Sequence, residues 1–357
     1  MAEKNARSTA DGTRFVAYLT EKLPLVEQAL AETVARPLTD LPQERDLTRY
    51  LYGPLERFTA SGGKRVRPVL ALLGAEAVGG EAARALSPAV AIELFQSAAL
   101  IHDDIADEGE LRRGEPCLHV SEGTGIAINA GDLALTRVFE IVLADEGLEP
   151  ARRLRVLDEL ARMERHTLEG QALDLGWVRD ARWDISSADY FYMVDSKTAW
   201  YTAASPLLIG AIAGGADDAR ARRLIEVGTP AGIVFQVQDD LLNLVGDADA
   251  QGKDFRSDIT EGKRTLAVVT ALENLEGAQH DELVALLRAK TSGPADLARA
   301  VDLIEAGGGI ATCRDVARNN AARAIEAAQK LADEGVITHP AAEVLESMVH
   351  FFMERNK

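Results

Sequence analysis

The chain has 357 residues, 47% of them hydrophobic, which is enough for one large core or two ordinary ones. Its 57 Asp and Glu against 39 Lys and Arg leave a formal charge of -18, which opposes a general electrostatic footprint for nucleic acid or anionic lipid, so an anionic ligand must meet local cations or metal ions. Cys117 and Cys313 form no spaced cluster, which argues against a disulfide framework or a thiolate metal site and fits a reducing cytoplasm. The first residues, MAEKNARSTADGTR, hold no apolar signal core, and no segment runs through about 18 uninterrupted apolar residues, so the reading is a soluble chain with no integral membrane segment. Strand signals are sparse, and Ala, Leu, Glu and Arg recur at spacings of three and four, so the fold class is all-α. In chain order the predicted helices run 14–35, 45–60, 66–78, 87–107, 124–145, 151–179, 187–213, 217–246, 263–276, 281–290, 295–306, 310–334 and 339–355. Ser87-Pro88 and Ser186-Ser187 with Asp189 read as helix starts, and Gly79-Gly80 as a stop. Pro24, Pro206 and Pro230 should bend or interrupt their helices. No repeat or linker divides the chain, so a single domain over 1–357 is expected, with 1–13 disordered; 107–124 and 246–262 are the loops rich in charge and glycine.

The predicted helix 87–107 ends in LIHDDIADEGELRRG. Gln96, Ala99, Asp103 and Asp107 fall at offsets of three and four and share a face, so two carboxylates one turn apart can grip one metal cluster. Acids at a helix C-terminus oppose the macrodipole, a cost of a few tenths of a kcal/mol each that a bound metal would offset. A second acidic helix end follows in FQVQDDLLNLVGD, where Gln236, Asp239, Asp240 and Asn243 lie on or near one face. Two oxygen-rich helix ends, with no His or Cys at metal spacing, favour Mg²⁺ over zinc.

Cations stand where such a site needs them. GGKRVRP at 62–68 joins a glycine turn and three basic residues to a helix start, where unpaired backbone N–H groups also point outward. Arg112 and Arg113 follow the first acidic cluster, and Lys253, Lys263 and Arg264 follow the second. This alternation suits a diphosphate bridged by Mg²⁺ to aspartates, with a second anionic group held by lysine and arginine.

GGKRVRP, HDDIADEGELRRG, the Gly131-Asp132 pair, GQALDL, SKT, FQVQDDLLN and SDITEGKRT occur in one order over about residues 55–270, and in this the sequence resembles the trans-isoprenyl diphosphate synthases, or polyprenyl synthetases. The resemblance implies a single large helical bundle of the isoprenoid synthase type with a central active-site cavity, and a homodimer. It implies Mg²⁺, about three ions per site, with Asp103 and Asp107 holding two, Asp239 the third, and Asp240 supporting it through water; Asp104 completes the first motif. Lys64, Arg67, Gln96 and Arg113 would receive isopentenyl diphosphate. Arg112, Lys197, Lys253 and Lys263 would contact the allylic diphosphate. Thr198 and Gln236 would line the reaction centre, and Gln171 with Asp174 would position Lys197 and metal-bound water. The reaction implied is head-to-tail 1'-4 condensation through an allylic cation, with no protein nucleophile. Asn243 departs from the family's commonest DDxxD, and Gln96 stands where many bacterial members have His.

Product length should follow from what lies below the aspartates on their own helix. Ala98 and Ala99, five and four residues before Asp103, leave the first floor open, and Phe95 is the next candidate stop, about 12 Å down the axis. The expected product is longer than farnesyl: geranylgeranyl diphosphate first, a medium-chain polyprenyl diphosphate second. A class I terpene cyclase would share the metal chemistry but has no use for GGKRVRP. A silent partner subunit would lack one acidic motif, and a ferritin-like diiron bundle would need paired Glu-x-x-His motifs. The basic end Arg355-Asn356-Lys357 reads as a frayed terminus.

Overall fold

Nearly every spacing of three and four becomes a helix in the computed structural model, which describes residues 11–35, 41–246 and 255–355. The first helix, α1 (Thr13–Val34), runs through Pro24. The next, α2 (Glu44–Leu47), continues through a π-helical turn, Thr48–Tyr52, into α3 (Gly53–Ala60). Then come α4 (Val66–Ala77), a 3₁₀ turn (Ala82–Ala85), α5 (Leu86–Ala106), α6 (Leu118–Glu122), α7 (Thr124–Leu143) and α8 (Pro150–Arg179). A continuous helical rod follows, made of α9 (Ser187–Val194), a π-helical segment (Asp195–Ala204) and α10 (Ser205–Gly214). The remainder is α11 (Asp218–Arg222), α12 (Ile225–Val245), α13 (Ser257–Glu261), α14 (Leu266–Asn274), α15 (Gly277–Arg288), α16 (Pro294–Ala306), α17 (Gly309–Asp333) and α18 (His339–Met353). The only strands among the described residues are two-residue pieces, β1 (Leu111–Arg112) and β2 (Glu115–Pro116), paired antiparallel within the loop after α5.

Helix α5 lies at the centre. Val90, Ile92, Leu94, Phe95 and Ala98 join residues of α1, α4, α7, α8, α10 and α12 in one apolar cluster. The stretch 82–106 is long and apolar enough by composition to cross a membrane, but most of it is buried within the bundle. A second cluster, around Tyr190, Leu266, Leu283 and Ile304, packs against the far end of α12. Both acidic helix ends therefore sit at the ends of core helices, where burial limits their movement.

Several details differ from expectation. Ser87 does not cap α5; the helix opens at Leu86 after the 3₁₀ turn, and the Ser87 hydroxyl donates to Asp145 instead. Ser186 does cap α9, in a reciprocal box with Asp189. The predicted helix 217–246 divides into α11 and α12, while Pro230 is accommodated inside α12. The expected disorder of 1–13 falls largely outside the described residues. Of the three described there, Thr13 opens α1, and the Asp11 carbonyl accepts a hydrogen bond from Ser347 of α18.

Candidate active site

The last turn of α5 gathers a set of directed polar contacts. Gln171 of α8 donates to Asp103 Oδ1 at 2.8 Å. Arg112, carried by β1, donates through Nε at 2.9 Å and through Nη2 to the same oxygen of buried Asp104. This turns Asp104 away from any shared ligand and makes it the anchor of Arg112. Asp107 ends the helix, 3.9 Å from Lys263 Nζ. Burial raises the Asp103 carboxyl above its ordinary value, with Lys197 pulling it down and Asp107 pushing it further up.

Lys197 and Thr198 lie in the π-helical segment between α9 and α10. A side chain at Gly170 of α8 would overlap the Lys197 backbone, and one at Gly232 of α12 would strike Ala199. These two glycines let the ten-residue segment fit tightly between two helices, and π-helical departures from α-helix are frequent at functional sites. Lys197 Nζ donates to Asp174 of α8. Burial works against the lysine charge, but Asp174 and Asp103 outweigh it and hold its pKa above the usual value. Burial likewise works against the Asp174 charge, and Lys197 outweighs it, keeping that carboxyl below the usual range.

The end of α12 is arranged differently. Asp240 is buried and accepts from Tyr190 Oη at 3.0 Å and from Gln236 Nε2 at 2.6 Å, both neutral donors. Burial first, then Asp258, pushes its carboxyl well up; burial does the same to Asp258 against the pull of Lys263. Asp239 pairs with Arg355 Nη2 at 3.1 Å. Arg355 is thus not a frayed end: its guanidinium lies over Phe235, 4.2 Å from the ring centroid, and next to a site carboxylate 116 residues away. Asn243 donates to Ser257 Oγ at 3.0 Å and accepts from the Asp258 N–H at 3.3 Å, so it fastens α13 to α12. That explains an amide where an acid is commoner.

Asp174, Lys197, Thr198, Gln236, Asp239, Asp240, Asp258 and Lys263 line one cavity of about 170 Å³. A wider one of about 600 Å³ shares Asp174 and Lys263 with it and reaches Asp107. Asp107 of the first acidic end and Asp239 and Asp240 of the second therefore line neighbouring cavities. Asp103, Asp107 and Asp239 are oxygen donors of the kind Mg²⁺ takes, and among the described residues no three acidic side chains are drawn together around one point, so the protein would supply only part of each ion's shell.

The remaining expected residues take three positions. Arg67 donates from Nη2 to Tyr201 Oη and Thr202 Oγ1, each at 2.9 Å, and stacks on the Tyr201 ring. Lys64 lies near the Phe351 ring, Arg113 donates to Ser61 Oγ at 3.2 Å, and Gln96 is buried on α5. Phe95 is buried with its ring edge-on to Tyr201 at 5.8 Å, above it Ala98 is buried, and Ala99 is half-buried. Lys253 lies outside the described residues. The Gly131-Asp132 pair belongs to packing: a side chain at Gly131 would strike the His102 ring. Sequence reasoning missed Asp258, Tyr190, Tyr201 and Arg355 as residues of this region. The SDITEGKRT stretch carried a signal for Asp258; the others are brought in only by packing.

A polyprenyl synthetase family model matches residues 48–304. A short chain isoprenyl diphosphate synthase of Methanothermobacter thermautotrophicus is 38% identical over 303 residues, covering 84% of this chain and 89% of that protein. A geranylfarnesyl diphosphate synthase of Natronomonas pharaonis is 33% identical over 357 residues, covering 95% and 97%. The crystal structure of geranylgeranyl pyrophosphate synthetase from Pyrococcus horikoshii superimposes with a TM-score of 0.84 at 32% identity, covering 96% of this chain and 98% of that one.

Proposed function

The chain belongs to the polyprenyl synthetase family and is a prenyltransferase, and we propose that it condenses isopentenyl diphosphate head-to-tail with an allylic diphosphate to give geranylgeranyl diphosphate. The observation that carries this reading is that Asp107 of one acidic helix end, and Asp239 and Asp240 of the other with Lys197, line neighbouring cavities that share Asp174 and Lys263.

Asp103 and Asp107 would hold two Mg²⁺ ions and Asp239 a third, with Asp240 in support. When bound, the ions neutralise diphosphate charge, the family's general requirement. Lys197 and Lys263 would bind the allylic diphosphate, with Lys253 and Arg112 adding charge; Asp174 and Gln171 would hold Lys197 and Asp103 in place. Lys64, Arg67, Gln96 and Arg113 would bind isopentenyl diphosphate. The allylic C1–O bond breaks, the C4 alkene carbon of isopentenyl diphosphate bonds to C1, and a C2 proton passes to the departed diphosphate. Preplaced positive charge meets the charge developing on the leaving group. Thr198 and Gln236 would offer oxygen dipoles to the cation, and the closely packed π-helical segment would keep out water that would quench it.

Below the aspartates, the small side chains of Ala98 and Ala99 would leave room for a chain beyond fifteen carbons, and Phe95, edge-on to Tyr201, would form the first aromatic floor. Related enzymes named for geranylgeranyl and geranylfarnesyl products agree with that range. Leu154, Leu168 and Leu175 of α8 are exposed at intervals of seven or fourteen, Ile128 and Leu143 of α7 are also exposed, and these exposed apolar side chains support a homodimer. We place the enzyme in the cytoplasm. The test is incubation of purified protein with isopentenyl diphosphate, Mg²⁺ and allylic diphosphates of five, ten and fifteen carbons, followed by mass analysis. A twenty-carbon product is expected, and Phe95→Ala should lengthen it. No elongation with any starter overturns the activity; an unchanged length in Phe95→Ala removes Phe95 from the account.

A further inference from the structure

We infer that Arg65 and Glu93 form a buried positioning pair that sets the isopentenyl diphosphate receptor relative to the aspartates of α5; this rests on the reading of Lys64, Arg67 and Arg113 as that receptor. Arg65 Nη1 donates to Glu93 Oε1 at 2.6 Å, and the two side chains are only 3% and 5% exposed. Nη2 of the same guanidinium donates to the Thr59 carbonyl at the end of α3. Glu27 of α1 stands further off, 3.9 Å from Nε. One side chain therefore bolts the end of α3, the glycine turn and the middle of α5 together.

The local backbone shows how much is fixed by this bolt. Arg65 itself is left-handed, φ 49 and ψ 34, at the residue that precedes α4. A non-glycine residue in that region persists where its surroundings over-determine it. Gly62 and Gly63 before it have φ of 94 and 135, and Arg113, which faces the turn, has φ 55. A Cβ at Gly63 would lie 2.9 Å from Arg113 Nη2 and 3.4 Å from Arg65 Nη1, so two guanidinium groups flank the same glycine.

Two arginines this close repel, and the Glu93 carboxylate is what lets them coexist. Burial and then Arg65 pull the Arg113 pKa below its ordinary value, while Glu93 pulls it back up. Paired with Glu93, Arg65 adds little net charge beside Arg113, the arginine on the other side of Gly63. Glu93 also lies one turn before Gln96 and ten residues before Asp103 on the same helix, about 15 Å along its axis. A rigid helix thus fixes the distance between the two diphosphate sites, and bond formation between two substrates depends steeply on such placement.

The experiment measures KM for isopentenyl diphosphate and for the allylic diphosphate separately in Glu93→Gln and Arg65→Lys, beside Lys64→Ala and Arg113→Gln. Circular dichroism checks folding, and Arg65→Lys, which keeps the buried positive charge, gives the reading where Glu93→Gln does not fold. The expected result is a KM for isopentenyl diphosphate raised tenfold or more, with the allylic KM within about twofold of wild type. Equal changes in both KM values, or neither changed, overturn the positioning role. If Lys64→Ala and Arg113→Gln also leave the isopentenyl KM unchanged, it is the receptor assignment that falls, and the inference with it.

Discussion

The acidic ends of α5 and α12 read alike as sequence, adjacent aspartates after an apolar run that carries a glutamine, yet the fold holds them in opposite ways. At α5 the buried Asp104 has a cation of its own in Arg112, while Asp103 accepts from the neutral Gln171 and Asp107 shares Lys263 with Asp258. At α12 the buried Asp240 meets only neutral donors, Tyr190 and Gln236, among the described residues, and Asp258 adds negative charge beside it. Asp239 takes its cation from Arg355, at the far end of the chain. The buried aspartate of one end thus faces a guanidinium, and the buried aspartate of the other faces neutral donors among the described residues. Similar motifs can therefore present unequal affinities for the same ion.

The largest effect tests whether the two ends serve one reaction. Asp103→Asn and Asp239→Asn should each lower kcat/KM on the order of 10³-fold, measured by initial rates at saturating Mg²⁺. A large loss at only one end would break the idea of a shared site.

Thermal scans in chelator should then separate the ends by sign. Asp104→Asn removes half of a charge-assisted pair and should lower Tm by a few degrees, about 1.5 °C for each kcal/mol lost. Asp240→Asn should raise Tm at pH 8. A carboxyl raised on folding binds its proton more tightly in the native state, so its stability contribution falls as pH climbs from the unfolded value near 3.8 upward. The gain from asparagine should therefore shrink as pH is lowered to 4. A lower Tm for Asp240→Asn at pH 8 would mean that α12 is already compensated.

The smallest effect concerns Arg355. If its guanidinium competes with a cation at Asp239, Arg355→Ala should lower the half-saturating Mg²⁺ concentration about threefold, the scale of an exposed ion pair. An unchanged Mg²⁺ titration would leave the arginine with a packing role over Phe235 alone.

Much of this molecule was open to reading from local pattern. Helix periodicity depends on neighbours three and four residues away, so most helices lie within a few residues of expectation, and Ser186 caps α9 because its partner Asp189 is three residues along. The family motifs were legible for the same reason, each being a short run with its chemistry written in adjacent side chains. Ser87 shows where the method stops: its hydroxyl had a local use as a cap and a distant one at Asp145, and the fold chose the distant one. Asn243 is similar, since only the packing of α13 on α12 turns an apparent loss of a ligand into a fastening.

The sequence by itself determined an all-α chain, the order of its helices, two acidic helix ends and a basic glycine turn, because hydrophobic spacing and charge are properties of neighbouring residues. Tertiary structure alone decided that Asp240 meets neutral donors among the described residues, that Arg355 reaches Asp239, that Gly170 and Gly232 admit a π-helical segment carrying Lys197, and that Glu93 pairs with Arg65. Those features depend on which groups lose their water together and on which partner from a distant segment is then close enough to replace it.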